Sequence, residues 1–214
     1  MADFLVQDGQ TYIFQGDSIT DAGRRTTAAP FGTGYAKLTV DLVTARYPER
    51  RIHWINKGIG GNRVTQLAER WTDDVIRHEP DWVSILIGIN DVHSMLRQAE
   101  PVVSVDLFRE KYDEIVSRTI AETGAQVLII DPFYMSIDSA GMDWRTVVLE
   151  ALPAYIKVAR ETAERHGCRH IPMHDIYQEQ LALRESEVLC PEPVHPGPTG
   201  HMCIANAIVE ALTE

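Results

Sequence analysis

At 214 residues the chain is long enough to bury one substantial core and short for two, so residues 1–214 are read as a single domain. Hydrophobic residues make up 44% and charged residues 24%, the balance of an ordinary globular protein. The formal net charge of −11 argues against nucleic acid and against an anionic membrane as partners, because neither rewards an acidic surface.

The first ten residues, MADFLVQDGQ, have neither a basic segment nor an apolar one, which predicts no secretory signal. The longest apolar run, WVSILIGI, is the length of a strand and too short to span a bilayer. Cys168, Cys190 and Cys203 are odd in number and widely spaced. They read as reduced thiols of a cytoplasmic protein, not as a disulfide framework.

Five short apolar runs read as strands, and helical spacing fills the segments between them. The first, TYIFQ (11–15), leads into GDSITD. The second, RIHWIN (51–56), leads into KGIGGNRV, after which Val64, Leu67, Trp71 and Val75 recur at helical steps. The third, WVSILIG (82–88), runs into GIND; Phe108, Tyr112, Ile115, Val116 and Thr119 then mark another helical face. The fourth, AQVLIID (125–131), is followed by the irregular stretch PFYMSIDSAGMDW. A helix ending at ERHG has Gly167 where a left-handed cap is favoured, and RHIPMHD (169–175) reads as the fifth strand. The last helix starts near Pro198 and Thr199, with Met202, Ala205, Ile208, Val209 and Leu212 on its apolar face.

The strands are continuous apolar runs and do not alternate cleanly, the pattern of a parallel sheet covered on both faces. Regular β-helix-β alternation then predicts a three-layer α/β/α domain with a five-stranded parallel sheet. Functional residues in such sheets lie at the carboxyl ends of the strands. Those ends carry Ser18, the glycines Gly60 and Gly61, and Asn90. His195 sits among Pro191, Pro193, Pro196 and Pro198, whose fixed φ makes a stiff loop able to aim a side chain.

A serine hydroxyl needs a neighbouring base before it attacks. His195 is the candidate base, and Glu192 the candidate acceptor on its other ring nitrogen. Acyl transfer also needs donors at the developing oxyanion, which the Gly60–Gly61 backbone and the Asn90 amide can supply. Each motif alone has an ordinary reading: GDS as a helix cap, GIGG as a turn, Asn90–Asp91 as a cap, His195 as a structural histidine. All four in this order describe a hydrolase.

The four blocks resemble those of the SGNH hydrolase superfamily, the GDSL esterases and lipases. The serine block matches FQGDSITD, the glycine block NKGIGGNRV, the asparagine block GIND and the histidine block EPVHP. The resemblance implies a flavodoxin-like sheet and a nucleophile at Ser18. It places Gly61 and Asn90 in an oxyanion hole completed by the Ser18 amide, and the base at His195. It implies an open site and neither metal nor organic cofactor. One position departs from the pattern: Glu192 stands where the family has aspartate. The extra methylene requires the loop to absorb on the order of 1.5 Å, and a Ser-His dyad with a solvated Glu192 is the alternative.

His166, Cys168, His170 and His174 match no standard zinc spacing, and no metal site is expected there. Asp175 is a weaker candidate for the orienting acid, with helix capping or strand closure as its ordinary reading. The wider context GDSITDAGRR…GTGYA…NKGIGGNRV…PDWVSILIGIND resembles the carbohydrate acetylesterase branch, in particular intracellular acetylxylan esterases. That implies an acetylated oligosaccharide as the small-molecule ester substrate, and assembly as a homo-oligomer. The segment AGRRTTAAPFGTGYA and the residues Tyr134 and Trp144 are candidates for the pocket wall. A lysophospholipase or thioesterase acting on longer acyl chains is the enzymatic alternative, and a non-catalytic flavodoxin-like binding module the alternative of another class.

Overall fold

The computed structural model describes residues 3–137 and 143–214. Five parallel strands, β1 (Thr11–Gly16), β2 (His53–Asn56), β3 (Trp82–Leu86), β4 (Gln126–Ile130) and β5 (Arg169–Ile171), lie in the order β2-β1-β3-β4-β5. This is the doubly wound, flavodoxin-like order, in which the sequence reverses direction between β1 and β3. β3 is buried along its whole length, and β1, β3 and β4 pair in continuous register from Tyr12–Trp82–Gln126 onward. Burial on both faces explains why these strands show no polar alternation.

Among the described residues eight helices complete the layers: α1 (Ser18–Asp21, a single turn), α2 (Tyr35–Arg46), α3 (Val64–Asp74), α4 (Ile89–Arg97), α5 (Val105–Thr123), α6 (Trp144–His166), α7 (Met173–Leu181) and α8 (Pro198–Ala211). α2 packs on α8; α3 packs on α5, and α5 on α6. The faces read from helical spacing are the faces that go inside: Val64, Leu67 and Trp71 of α3, and Phe108, Tyr112, Ile115, Val116 and Thr119 of α5, are all buried. Trp71 also donates its indole N–H to Thr119 Oγ1 at 3.0 Å, so its polar atom is not orphaned in the core. Truncating such a residue to alanine costs about 3–5 kcal/mol.

The fifth strand is shorter than the sequence suggested. It ends at Ile171 because Pro172 has no N–H to continue the ladder, and α7 begins one residue later. His174 and Asp175 therefore lie in the first turn of a helix. Asp175 pairs with Arg160 at 2.7 Å, far in role from the orienting acid once considered for it. The neighbouring histidines have separate partners: His166 contacts Asp113 at 2.8 Å, and His170 contacts the fully buried Asp131 at 2.6 Å. Among the described residues no group of three or more His, Cys, Asp or Glu side chains is placed to hold a metal, and no helix is long and apolar enough to cross a membrane.

Candidate active site

The ends of β1, β2 and β3 open onto one edge of the sheet, and the chain between α7 and α8 returns to that edge. β1 leads straight into α1 through a turn that requires glycine at position 16. A Cβ there would lie 2.2 Å from Thr20 Oγ1 and 2.4 Å from the Leu86 carbonyl oxygen. Asp17 caps the short helix, accepting the Ile19 N–H at 2.9 Å, which leaves Ser18 at the first helical position. The capping reading of the GDS motif is thus correct and does not compete with the chemical one.

Ser18 Oγ lies 2.8 Å from His195 Nε2, across 177 residues of sequence. The other ring nitrogen of His195, Nδ1, makes a short hydrogen bond to Glu192 Oε1. The Glu192 carboxylate also accepts two backbone N–H groups, from Val194 at 2.9 Å and from His195 at 2.8 Å. The loop therefore folds around the carboxylate and accommodates the longer side chain. Partial burial pushes the Glu192 carboxyl up, but the Val194 amide, the His195 ring and the His195 amide outweigh it and hold it below the usual glutamate value. His195 and Glu192 side chains remain 53% and 45% exposed, so the site is open to solvent. The proline loop is anchored from both sides: Met135 N–H donates to the Pro193 carbonyl, and Gly197 N–H to the Leu189 carbonyl, each at 2.8 Å.

Gly61 has φ of +79°, a left-handed conformation that glycine adopts without cost, and nothing lies within 4 Å of where its Cβ would point. Neither its N–H nor that of Ser18 has a hydrogen-bond partner among the described residues, so both are free to donate to a ligand. Asn90 is placed differently from a free donor. Its Nδ2 faces the Asn62 carbonyl at 3.1 Å and Asp17 Oδ2 at 3.3 Å. The second contact is slightly beyond the usual N–H···O range and is the one a substrate oxygen can replace.

Residues that sequence reasoning passed over hold this arrangement in place. Arg70 of α3 donates to Asn62 Oδ1 and the Lys57 carbonyl, each at 2.9 Å, and pairs with Asp74; it thereby ties the glycine loop to α3. Asp21 accepts from Gly60 N–H at 3.2 Å and from Arg25 Nε at 2.8 Å. Asp91, fully buried behind Asn90, accepts the Val64 N–H at 2.9 Å and so caps α3 from another helix. Burial pushes Asp91 up to about 7. It pushes Asp17 up to about 6, against the Ile19 amide and the His195 charge. Arg70 and Asp21 each have a partner one helical turn away, Asp74 and Arg25, but no local signal marks the contacts that reach the glycine loop, to Asn62, the Lys57 carbonyl and Gly60; the acid of GIND was visible, but its partner on α3 was not.

Of the expected wall residues, Tyr134 is buried and packs edge-on against His93, with centroids 6.4 Å apart. Trp144 opens α6 and lies 5.6 Å from His93, and Arg97 sits 4.6 Å over its ring. The segment after Ser18 contributes more directly. Ala22, Gly23, Arg25 and Thr26, with Asp21 and Gly60, line a cavity of about 420 Å³ that includes Ser18.

Known proteins resemble the chain along nearly its whole length. The model of the GDSL-like Lipase/Acylhydrolase family matches residues 14–203. An acetylxylan esterase of Geobacillus stearothermophilus is 34% identical over 97% of this chain and 95% of its own. Crystal structures of Axe2, an acetylxylan esterase from the same organism, superpose with a TM-score of 0.87 at 32% identity, covering 97% of this chain and 96% of theirs. LAE5, an α/β hydrolase from the metagenome of Lake Arreo in Spain, superposes with a TM-score of 0.88 at 30% identity over 98% of both chains.

Proposed function

Because the chain belongs to the GDSL-like lipase/acylhydrolase family and hydrolyses carboxylic esters of acetate, we propose that its substrates are acetylated xylo-oligosaccharides or related sugars, cleaved through an acetyl-enzyme on Ser18. The observation that carries this reading is the continuous relay from Ser18 Oγ to His195 Nε2 at 2.8 Å, and from His195 Nδ1 to Glu192.

In the proposed mechanism His195 Nε2 takes the Ser18 proton as Oγ attacks the acetyl carbonyl carbon. The carbonyl oxygen becomes an oxyanion, held by the Ser18 and Gly61 amides and by the Asn90 side chain once it exchanges its long contact to Asp17 for the ligand. Glu192 keeps the Nδ1 proton in place and stabilises the imidazolium. Collapse of the tetrahedral centre breaks the C–O bond to the sugar, and His195 returns its proton to the leaving hydroxyl. Water then repeats the sequence on the acetyl-enzyme, releasing acetate and free Ser18. Donors fixed in the site before reaction supply the largest share of such acceleration.

The cavity at Ser18 is lined by Asp21, Arg25 and Thr26 beside Ala22, Gly23 and Gly60, with no long aliphatic side chain among them, which supports short-chain acids over long ones. The three cysteines are unpaired, which supports a reducing, cytoplasmic setting. We read residues 1–214 as one catalytic domain that self-associates, a state that sedimentation velocity at micromolar concentration measures directly.

The deciding experiment is acetate release from a panel of acetylated xylo-oligosaccharides, with Ser18→Ala as the control, beside 4-nitrophenyl acetate and octanoate. Sugar deacetylation that vanishes in Ser18→Ala, with acetate preferred to octanoate, is the expected outcome. Strong preference for octanoate would replace this reading with a lysophospholipase or thioesterase, and hydrolysis surviving in Ser18→Ala would remove the nucleophile from it.

A further inference from the structure

The cavity beside Ser18 is larger than an acetyl group requires, and two charged side chains, Asp21 and Arg25, are part of its lining. A methyl group is close in size to a water molecule, whose share of liquid volume is about 30 Å³, whereas this space measures about 420 Å³. It has room for the other half of the ester, the alcohol that leaves. Gly60 gives its geometry. A carbon placed at the Cβ position of Gly60 would lie 3.8 Å from Ser18 Cβ, 4.0 Å from Arg25 Nη2 and 4.0 Å from Asp21 Oδ2. The nucleophile, the guanidinium and the carboxylate thus converge on one small volume above Gly60, at the floor of the cavity.

Much of the hydrogen-bonding capacity of these groups is unspent. Arg25 commits only Nε, to Asp21 Oδ2 at 2.8 Å, and its two Nη groups have no partner among the described residues. Asp21 uses Oδ2 for both Arg25 and Gly60 N–H, which leaves Oδ1 without one. The Asp21 side chain is only 11% exposed, so its position is set by packing. A free carboxylate oxygen next to free guanidinium N–H groups offers an acceptor and donors side by side. Neighbouring hydroxyls of a sugar ring, each both donor and acceptor, satisfy such a pair. An anionic ligand is less well served, because Asp21 already neutralises Arg25.

We propose that Arg25, with the Asp21 carboxylate it pairs with, forms the sugar-binding subsite and determines specificity for a polyhydroxylated leaving group. This rests on the proposed deacetylation of sugars and adds which residues recognise the sugar.

The test compares kcat/KM for an acetylated xylo-oligosaccharide with that for 4-nitrophenyl acetate, whose aromatic leaving group offers no hydroxyls. Arg25→Ala is expected to lower the ratio of sugar to aryl kcat/KM at least tenfold. Arg25→Lys retains the charge beside Asp21 but loses the Nη fork, and is expected to give an intermediate ratio. It also serves if the alanine variant folds poorly. Equal losses on both substrates would overturn the proposal, because Arg25 would then act through Asp21 and Gly60 on the oxyanion loop. An unchanged ratio would overturn it as well. Wild-type protein that hydrolyses 4-nitrophenyl acetate but no sugar acetate would instead defeat the deacetylation reading, and the subsite with it.

Discussion

Asp17 and Asn90 meet at 3.3 Å across the reversal point of the sheet, the carboxylate from the end of β1 and the amide from the first turn after β3. Both Asp17 oxygens are occupied: Oδ1 accepts the Ile19 N–H that starts the helix carrying Ser18, and Oδ2 accepts from Asn90. One buried carboxylate therefore positions both Ser18, the proposed nucleophile, and Asn90, a proposed oxyanion donor, and so couples two elements of the candidate site from separate strands.

Asp17→Asn tests that coupling. An asparagine supplies one acceptor where two are used, so either the cap of α1 or the anchor of Asn90 is lost, with a donor facing a donor. Loss of a single oxyanion donor costs about 10²–10³ in kcat. A displaced donor should cost less, so a fall in kcat of roughly tenfold or more is expected, with KM little changed. Steady-state kinetics on 4-nitrophenyl acetate measure it, and full kcat in a folded variant would show that Asn90 needs no anchor from Asp17.

Asp91 carries a pH dependence of the opposite kind to most surface carboxylates. Burial, the largest influence, raises it to about 7 from 3.8, and the charge of Asp17 adds to this. The folded state then binds the proton more tightly than the unfolded chain, so stability declines as pH rises from about 4 to about 7. Asp91→Asn keeps an acceptor for Val64 N–H and removes the titration; Oδ2, where the amide nitrogen would go, has no hydrogen-bond partner. Near pH 4 and below the variant should match the wild type, and by pH 8 it should be more stable by about 1 kcal/mol or more, roughly 2–4 °C in Tm for a chain of this size. Thermal melts of both proteins between these limits check it. Contributions from other titrating groups cancel in the difference, so a pH-independent gap would refute the account.

The parts of this molecule legible in the sequence are those encoded by local pattern. Buried parallel strands announce themselves as apolar runs, and α3 and α5 by the spacing of Val64–Leu67–Trp71 and Phe108–Tyr112–Ile115. The motifs that hold Ser18, Gly61, Asn90 and His195 stood out because each is short and lies at a strand end or in a proline loop, and the fold brings Ser18 and His195 into contact. β5 was misjudged in length because the residues after Pro172 are apolar enough for a strand, and only the missing N–H ends it. Arg70, Asp21 and the Asp91 contact to Val64 were invisible for another reason. Apart from the near neighbours Asp74 and Arg25, their partners lie in other loops or on other helices, and only the assembled fold brings those within hydrogen-bonding distance.

Arg70 is expected to affect activity through the loop it holds. Arg70→Met keeps the stem of the side chain and removes the donors to Asn62 and to the Lys57 carbonyl. Leaving such acceptors unsatisfied costs about 1–3 kcal/mol. The loop carrying Gly61 should loosen, and kcat for 4-nitrophenyl acetate should fall by about tenfold. Thermal denaturation and kinetics on the same sample separate the two effects. A lower Tm with unchanged kcat would make Arg70 a structural residue only.

Glu192 presents the sharpest choice, because it occupies an aspartate position and yet reaches His195 Nδ1 while accepting two backbone N–H groups of its own loop. Its carboxyl is held below the usual value, so it is ionised throughout the neutral range. Glu192→Gln retains the length but loses the charge that stabilises the imidazolium, and its amide can offer Nδ1 a donor where an acceptor is needed. By analogy with the loss of the orienting acid in serine proteases, where asparagine costs about 10⁴, an exposed carboxylate should contribute less. A fall in kcat of about 10- to 10³-fold across pH 6–8 is expected. Glu192→Asp keeps the charge but shortens the reach of a loop already folded around the longer side chain, so it should fall between the wild type and the glutamine variant. If Glu192→Gln keeps full activity at neutral pH, the site works as a Ser18–His195 dyad and the carboxylate serves only to shape the loop.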